Sequence, residues 1–246
     1  MTVNFSANLQ LIFHGHIRGQ SMYNLKRGFA IAVLLAAPSC YLGTHDSAYA
    51  SHDPQAGQGI AMSDFKKTIT TVFWVGEDAN DDNGHIHNHA SYWDPDWLKS
   101  FGGIDSPKRR KGFMPAGFTP KENPFYIALP FAEVDQNGKL KPVAKKIPGF
   151  GEGKPLTRNR WVEVRYKGKS VYAQWADVGP FGEDDFDWVF GNAKQPKNRM
   201  GEKAGLDISP AAASYLGMTE NDKTEWRFVE ESDVPDGPWK VIVTRS

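Results

Sequence analysis

The chain has 246 residues, of which 40% are hydrophobic, 13% are aromatic and 24% are charged, and its mean hydropathy is −0.52. This composition is typical of a folded, water-soluble protein and excludes a disordered tail and a membrane-embedded helical bundle. Basic and acidic residues both number 29, so the chain lacks the positive charge that nucleic-acid binding uses. The single cysteine excludes a disulfide framework and a multi-cysteine zinc site.

The first fifty residues have the pattern of a secretory signal peptide. Lys26 and Arg27 precede an apolar run at 29–37, and Ala48-Tyr49-Ala50 supplies a small-x-small cleavage pattern. The apolar run is about half the ~20 residues that a transmembrane helix requires, so we expect no transmembrane segment after processing. Met22 is an alternative start. The sequence therefore predicts an exported protein that is periplasmic, attached to the cell envelope or secreted.

Cys40 offers a second interpretation of the same region. The residues Ala37-Pro38-Ser39 precede it, in a pattern that loosely matches a bacterial lipoprotein box ending in its lipidated cysteine. A lipid anchor at Cys40 is therefore the alternative to cleavage after Ala50. Cleavage at Ala50 would leave a cysteine-free, slightly acidic protein, with a flexible linker at 51–67 and one domain at 68–246.

The exported part is predicted to consist mainly of short β-strands. Segments rich in β-branched and aromatic residues alternate with turn residues, and two of them flank Lys167-Gly168-Lys169 as a hairpin. The predicted strands cover 68–75, 125–130, 160–166, 170–177, 226–229 and 239–243.

Two helices are predicted from their capping residues. Asp94 and Pro95 open a segment that stops at Gly102, and Ser209 and Pro210 open one that stops at Gly217. No alternation of strands and helices is present. The sequence thus favours one closed barrel with long loops and a few short helices over two domains.

Two motifs in the second half carry a resemblance to a known group of proteins. The first is Asp177-Val178-Gly179-Pro180-Phe181, and the second is Leu206-Asp207-Ile208-Ser209-Pro210 followed by the helix that ends at Gly217. In this order they resemble the double-psi β-barrels of rare lipoprotein A, bacterial expansins and the membrane-bound lytic transglycosylase A. The resemblance covers about 125–243. It implies a six-stranded double-psi barrel with a glycan-binding groove.

The resemblance also implies that an aspartate from each motif lies near the floor of the groove. Asp207 stands at the position of the catalytic acid of lytic transglycosylase A, and Asp177 at that of an aspartate of rare lipoprotein A. Two positions depart from the rare lipoprotein A pattern, since Val178 replaces an arginine and Tyr126 stands where a histidine is expected. A purely structural role for Asp207, holding backbone groups of the loop, is the alternative.

Other residues are predicted to bind the substrate around this pair. Strand alternation would place Trp175 on the same face as Asp177, where its ring could stack on a sugar. Apolar neighbours on both sides of Asp207 would keep its carboxylate at the edge of an apolar wall and raise its pKa. An insertion at 182–204 is expected to form a loop beside the groove. The further candidate substrate-binding residues are Tyr126, Trp93, Glu77 and Asp94.

A polar segment contains three histidines at alternate positions. On a strand, the rings of His85, His87 and His89 would lie on one face, an arrangement that could bind a metal ion. The acidic residues before them do not complete a calcium-binding loop, because no glutamate closes it. We therefore expect a solvated polar loop, with a metal site as the alternative, and we expect no cofactor.

Two functions are compatible with these features. The first is cleavage of a β-linked cell-wall polysaccharide, with peptidoglycan favoured, by a lytic transglycosylase in which Asp207 is acid and base. A glycoside hydrolase would need a second catalytic carboxylate, for which Asp177, Glu77 and Asp94 are the candidates. The second is a non-catalytic, expansin-like protein that binds or loosens the wall. In both, the partner is a cell-wall polysaccharide.

Overall fold

The computed structural model describes residues 64–81 and 83–245. The predicted signal peptide, Cys40 and residues 51–63 of the predicted linker lie outside the described residues. The strands are β1 Lys66–Val72, β2 Arg110–Lys111, β3 Met114–Pro115, β4 Tyr126–Leu129, β5 Trp161–Tyr166, β6 Lys169–Val178, β7 Leu206–Ile208 and β8 Asp222–Val229. The α-helices are α1 Trp97–Phe101, α2 Phe186–Val189 and α3 Pro210–Leu216, and 3₁₀-helices cover Pro142–Lys146, Gly201–Lys203, Glu231–Asp233 and Pro238–Lys240.

Six strands close into a barrel in the order β1-β7-β4-β6-β5-β8, while β2 and β3 form a separate two-stranded ribbon. Two pairs in the barrel, β1 with β7 and β4 with β6, are parallel, and the other pairs are antiparallel. This order is symmetric about the β7–β4 contact. The predicted class, mainly β with a closed six-stranded barrel and a few short helices, is confirmed.

Alternation along the strands fills the barrel with apolar side chains. Ile127, Leu206 and Ile208 have no exposed surface and belong to one continuous core with Trp175 and Trp226. Burying side chains of this size removes a large apolar area from water, at roughly 25 cal/mol for each Å². The interior of the barrel is therefore its main source of stability.

The β5–β6 hairpin has the predicted position and turn. Its two turn residues, Lys167 and Gly168, have positive φ angles of 46° and 81°. Two consecutive positive φ angles define the turn whose twist matches that of antiparallel strands. The turn sequence thus fixes the register of the longest strand of the barrel.

The two helices predicted from capping residues are both present. The Ser209 hydroxyl accepts a hydrogen bond from the backbone N–H of Ala212, and Gly217 ends α3 in the left-handed region. The other helix, α1, ends at Gly102 as predicted but begins at Trp97, after Asp96 rather than after Asp94. The helix starts two residues later than predicted because the Asp94 carboxylate accepts the backbone N–H of Asp96 in the preceding turn.

The insertion at 182–204 contains α2 and packs against the barrel. Trp188 is buried against Trp226, with ring centroids 6.0 Å apart. The Lys66 ammonium donates to the backbone oxygens of Trp188 at 2.5 Å and Gly191 at 2.7 Å. One side chain at the start of β1 therefore ties the insertion to the barrel.

The predicted strand at 239–243 is wrong. Pro238–Lys240 is a 3₁₀-helix, and the buried Trp239 donates its indole N–H to the backbone oxygen of Pro235. A closed barrel offers no free strand edge with which a further strand could pair. Within the described part of the chain, no helix has the length and apolar character needed to cross a membrane.

Candidate functional site

Asp177 and Asp207 lie in one row across the outer face of the barrel. Ala128 on β4 pairs with Asp207 of β7 on one side and with Asp177 of β6 on the other. Asp207 in turn pairs with Thr71 of β1. Because neighbouring strands are about 4.8 Å apart, the two aspartate Cα atoms are about 10 Å apart. The structure thus brings together two predicted site residues that are thirty positions apart in sequence.

The orientation of Asp177 depends on a β-bulge in β6. Ile127 pairs with Trp175, but the next residue of β4, Ala128, pairs with Asp177, so Ala176 is the extra residue. A bulge shifts the alternation of side chains by one position. Trp175, which precedes the extra residue, points into the barrel like Ala173, whereas Asp177, which follows it, lies on the outer face beside Ala128.

Asp207 has one bonded and one free carboxylate oxygen. The Thr71 hydroxyl donates to Oδ1, and no hydrogen bond from a described residue reaches Oδ2. Gly179 lies against this second oxygen, because a Cβ atom added to Gly179 would come within 3.3 Å of it. The side chain is half-buried. The missing side chain of Gly179 therefore leaves the space in front of the free oxygen.

The surroundings of Asp207 favour its protonated form. Burial raises its pKa from the usual 3.8 to about 7, and the negative charges of Asp177 and Glu77 add to this increase. The hydrogen bond from Thr71 opposes it. A carboxyl group with a pKa near neutrality can both give and take a proton at physiological pH.

Asp177 is more deeply buried and is held by backbone groups. Its Oδ1 accepts hydrogen bonds from the backbone N–H groups of Tyr92 at 2.8 Å and Val178 at 2.7 Å. Burial raises its pKa to about 7, although both hydrogen bonds act in the opposite direction. Asp177 therefore joins the loop that contains Tyr92 to the end of β6.

Glu77 is the third acid of this region. It is buried, and its Oε2 accepts a hydrogen bond from the Asn88 side-chain amide at 2.9 Å. Burial raises its pKa, and its charge in turn raises the pKa of Asp207. The charge of Asp207 is thus sensitive to the ionisation of both neighbouring acids, while burial remains the main cause of its raised pKa.

Two predicted substrate-binding residues, Trp175 and Tyr126, are core residues instead. Trp175 has no exposed surface, and its indole N–H donates to the backbone oxygen of Asp177 at 2.7 Å. Tyr126 is 1% exposed, and its hydroxyl donates to the buried Asp105 and accepts from the Val75 N–H. Neither ring can reach a sugar, so these two expectations are corrected.

Two further predicted binding residues, Trp93 and Asp94, form no hydrogen bond with the described acids of the site. Trp93 contacts the site through Trp175, and Asp94 lies in a separate turn. Trp93 is half-buried and packs edge-on against Trp175, with ring centroids 6.0 Å apart. Asp94 accepts a hydrogen bond from the backbone N–H of Asp96, in the turn before α1. Its carboxylate has a local role in that turn.

The three histidines do not lie on a strand. His85 has a φ angle of +61° in a turn, which breaks the alternation that would have placed the rings on one face. His85 and His89 form exposed pairs with Asp81 at 3.4 Å and Asp78 at 3.2 Å. Among residues 64–81 and 83–245, no group of three or more His, Cys, Asp or Glu side chains could hold a metal ion.

Two residues near the acids were not found from the sequence. Thr71 gives no local signal, since its neighbour Asp207 lies 136 positions away and meets it only through the β1–β7 pairing. Gly179 was part of the first motif, but its role follows from its contact with Asp207. The available signal was a glycine two residues after Asp177, directly beyond the end of β6.

Comparison with known proteins adds little to this geometry. No protein-family model matches the chain, and no curated protein matches it. Among solved structures, Streptomyces papain inhibitor matches with a TM-score of 0.31 and 15% sequence identity, over 70% of this chain and 99% of the inhibitor. A similarity of this size carries no argument about function.

Proposed function

We propose that the protein is an exported enzyme that cleaves a β-linked cell-wall polysaccharide, peptidoglycan in the first place, in the manner of a lytic transglycosylase. The observation that carries this proposal is the free Oδ2 of Asp207, which is half-buried, has a pKa of about 7 and faces the space left by Gly179. An acid of this kind is what glycosidic bond cleavage requires. The export signal predicted at 1–50 agrees with a substrate outside the cell.

In the proposed reaction Asp207 acts twice. Its protonated carboxyl group donates a proton to the glycosidic oxygen, and the bond between that oxygen and the anomeric carbon breaks. A hydroxyl group of the same sugar then attacks the anomeric carbon and gives its proton to the Asp207 carboxylate. This sequence restores the acid and consumes no water, so a single acid and base is sufficient.

Asp177 and Glu77 support this cycle through their charges. Both raise the pKa of Asp207, and Asp177 also holds the loop at Tyr92 against β6. Asp207 is the better catalytic candidate, since Asp177 is only 9% exposed and binds two backbone N–H groups. We assign Asp177 as a positioning residue.

The finer fold assignment belongs to the same proposal. The strand order is symmetric about the β7–β4 contact, and it places one parallel pair on each side. The acids also occur in the two motifs that resemble rare lipoprotein A and lytic transglycosylase A. These features support a double-psi barrel related to those proteins and to expansins.

A non-catalytic, expansin-like function is the second candidate. One observation favours it: each acid has a structural partner, Thr71 for Asp207 and the Tyr92 N–H for Asp177. In that case both aspartates would shape a binding surface and no bond would be cleaved.

One experiment separates the two functions. Purified protein is incubated with peptidoglycan sacculi and, separately, with cellulose, and the soluble products are analysed by mass spectrometry. We expect 1,6-anhydro products from sacculi with the wild type and a loss of at least about a hundredfold with Asp207→Asn. Asp96→Asn, on an exposed residue outside the site, is the matched control.

The contrary outcomes are distinct. Products with a free reducing end would replace the transglycosylase with a hydrolase. Absence of products from both polymers, together with retention of the Asp207→Asn variant on sacculi in a pull-down, would favour the binding function and reject the enzyme.

A further inference from the structure

A second concave surface lies at the opposite end of β6 from Asp177. Five residues line a depression of about 410 Å³, namely Phe113, Lys169, Ser170, Ser214 and Tyr215. This volume is within the range of about 300–1,000 Å³ that is usual for small-ligand sites. The lining residues come from the β2–β3 turn, the start of β6 and the last turns of α3.

The two aromatic rings of the depression are held in place by packing. Phe113 and Tyr215 have ring centroids 5.6 Å apart and planes inclined by 53°. Tyr215 also packs edge-on against the buried Trp239, with centroids 5.1 Å apart. Fixed rings lose little conformational entropy when a ligand binds, so they form a preorganised apolar wall.

Three polar groups around these rings are free to bind a ligand. Among the described residues, none forms a hydrogen bond or ion pair with the Tyr215 hydroxyl, the Ser214 hydroxyl or the Lys169 ammonium. The Ser170 hydroxyl, in contrast, already donates to Glu163 at 2.7 Å. No carboxylate lines the depression. The surface therefore combines apolar rings with free hydroxyls and one positive charge.

This combination matches the chemistry of a sugar. A pyranose presents an apolar C–H face, which gains by leaving water, and a rim of hydroxyl groups that require hydrogen bonds. We propose that the depression binds one sugar unit of a glycan, with the rings of Phe113 and Tyr215 against its C–H face and Lys169 at a hydroxyl or carboxylate group. The choice of a glycan rests on the proposed function.

The depression is separate from the acid pair. Lys169 and Asp177 are eight residues apart on β6, which corresponds to about 25 Å along a strand. The outer face between them is covered, because Gln174 forms two hydrogen bonds with the backbone of Thr244 in the C-terminal segment. Binding at the depression would thus anchor a polymer away from the point of cleavage.

The test is a titration of the isotope-labelled Asp207→Asn protein, followed by NMR. The probes are a neutral chitotetraose and a disaccharide that contains the carboxylate of N-acetylmuramic acid. We expect the amide signals of Lys169, Ser170, Ser214 and Tyr215 to shift with at least one probe. Tyr215→Phe and Lys169→Met, which keep the packing of the core, should each weaken that binding about three- to tenfold.

Lys99→Met removes an exposed charge elsewhere and should leave the affinity unchanged. If Lys169→Met weakens binding of the carboxylate probe alone, the ammonium lies at that carboxylate. If it weakens binding of both probes, the ammonium lies at a hydroxyl group. Either result supports the site. Absence of shifts with either probe, or shifts confined to the surroundings of Asp177 and Asp207, would overturn the proposal. Absence of cleavage products in the separate sacculus assay would reject the enzyme and leave this site standing.

Discussion

Trp175 and Asp177 point to opposite faces of β6, although alternation in a regular strand would place them on the same face. The extra residue Ala176 causes this difference. Ile127 of β4 pairs with Trp175, and the next residue of β4, Ala128, pairs with Asp177, so Ala176 has no partner on β4. The Trp175 indole, before the bulge, fills the barrel, and the bulge turns the Asp177 carboxylate to the outer face next to Ala128.

The row formed by Thr71, Asp207, Ala128 and Asp177 unites four adjacent strands at their outer surface. Ala128 is the small residue between the two carboxylates, and Gly179 lies over Asp207 without a side chain. Small residues at both positions leave room around the acids.

Thr71→Val is expected to shift the pH dependence of activity. The Thr71 hydroxyl donates to the ionised form of Asp207 and so lowers its pKa. Without this bond the pKa rises above its present value of about 7, and the loss of activity at alkaline pH should move upward by about 0.5 to 1 pH unit. Rates measured between pH 5 and pH 9 provide the check, with the exposed Thr219→Val as control. An unchanged alkaline limb would mean that Asp207 is not the acid.

Gly179→Ala is expected to reduce activity without unfolding the protein. The added methyl group would lie 3.3 Å from Oδ2 of Asp207 and 3.8 Å from the Ala128 methyl group, so it would fill the space before the free oxygen. We expect a decrease of kcat/KM by about tenfold or more, since displacement at a reacting atom has large kinetic effects. Equal thermal unfolding temperatures would show that the fold is retained.

Gly182→Ala is the matched control for that substitution. Its added methyl group would meet the Pro130 side chain at 3.7 Å, an ordinary contact distance. We expect wild-type activity from this variant. Equal effects of the two glycine substitutions would argue against a role of Gly179 at the acid.

Asp177→Asn is expected to stabilise the protein increasingly as the pH rises. The carboxyl group has a pKa of about 7 in the folded protein and 3.8 as its ordinary value. Between these two values the folded state keeps a proton that the unfolded state has released. The free energy of unfolding of the wild type therefore falls as the pH rises from about 4 to about 7 and is constant above pH 7. The amide abolishes this dependence and can still accept both backbone hydrogen bonds.

The gain from Asp177→Asn should thus be small at pH 4 and about 1 to 3 kcal/mol at pH 8. Urea unfolding at pH 4, 6 and 8 measures it. Asp96→Asn, at an exposed position, should show no such trend. A constant difference across the three pH values would contradict the burial of an ionisable group at this position.

Lys66→Met is expected to destabilise the attachment of the insertion. Its ammonium bonds the backbone oxygens of Trp188 and Gly191, and both oxygens would lose their partner. We expect a loss of about 2 kcal/mol or more in the free energy of unfolding, measured with urea. Lys67→Met, on the neighbouring side chain that is 81% exposed, should cost no more than about 0.5 kcal/mol. Similar losses in the free energy of unfolding for both variants would show that the Lys66 hydrogen bonds do not hold the insertion to the barrel.

Local patterns were sufficient for several elements of the fold. The turn at Lys167 and Gly168 and the caps of α3 at Ser209 and Gly217 depend on residues within a few positions of one another. Their conformations therefore follow from local sterics and hydrogen bonds. The closed barrel likewise agrees with the prediction made from the many short strands and from the two motifs.

The candidate site was predictable only in part. Asp177 and Asp207 were found from their motifs, and Glu77 from its place just after the first strand. The face of Asp177 relative to Trp175 was not predictable, because a one-residue bulge at Ala176 reverses the face of every later residue in the strand. Tyr126 looked like a substrate-binding residue, whereas its hydroxyl satisfies the buried Asp105.

The sequence by itself thus determined the short strands, the hairpin, the capped helices and the two aspartates, since each depends on neighbours along the chain. Only the tertiary structure decided which residues surround the acids. Thr71 reaches Asp207 through the pairing of strands that are distant in sequence, and the closed barrel left 239–243 without an edge to join. The pKa values near 7 follow from the same cause, because burial depends on every element packed around the carboxylates.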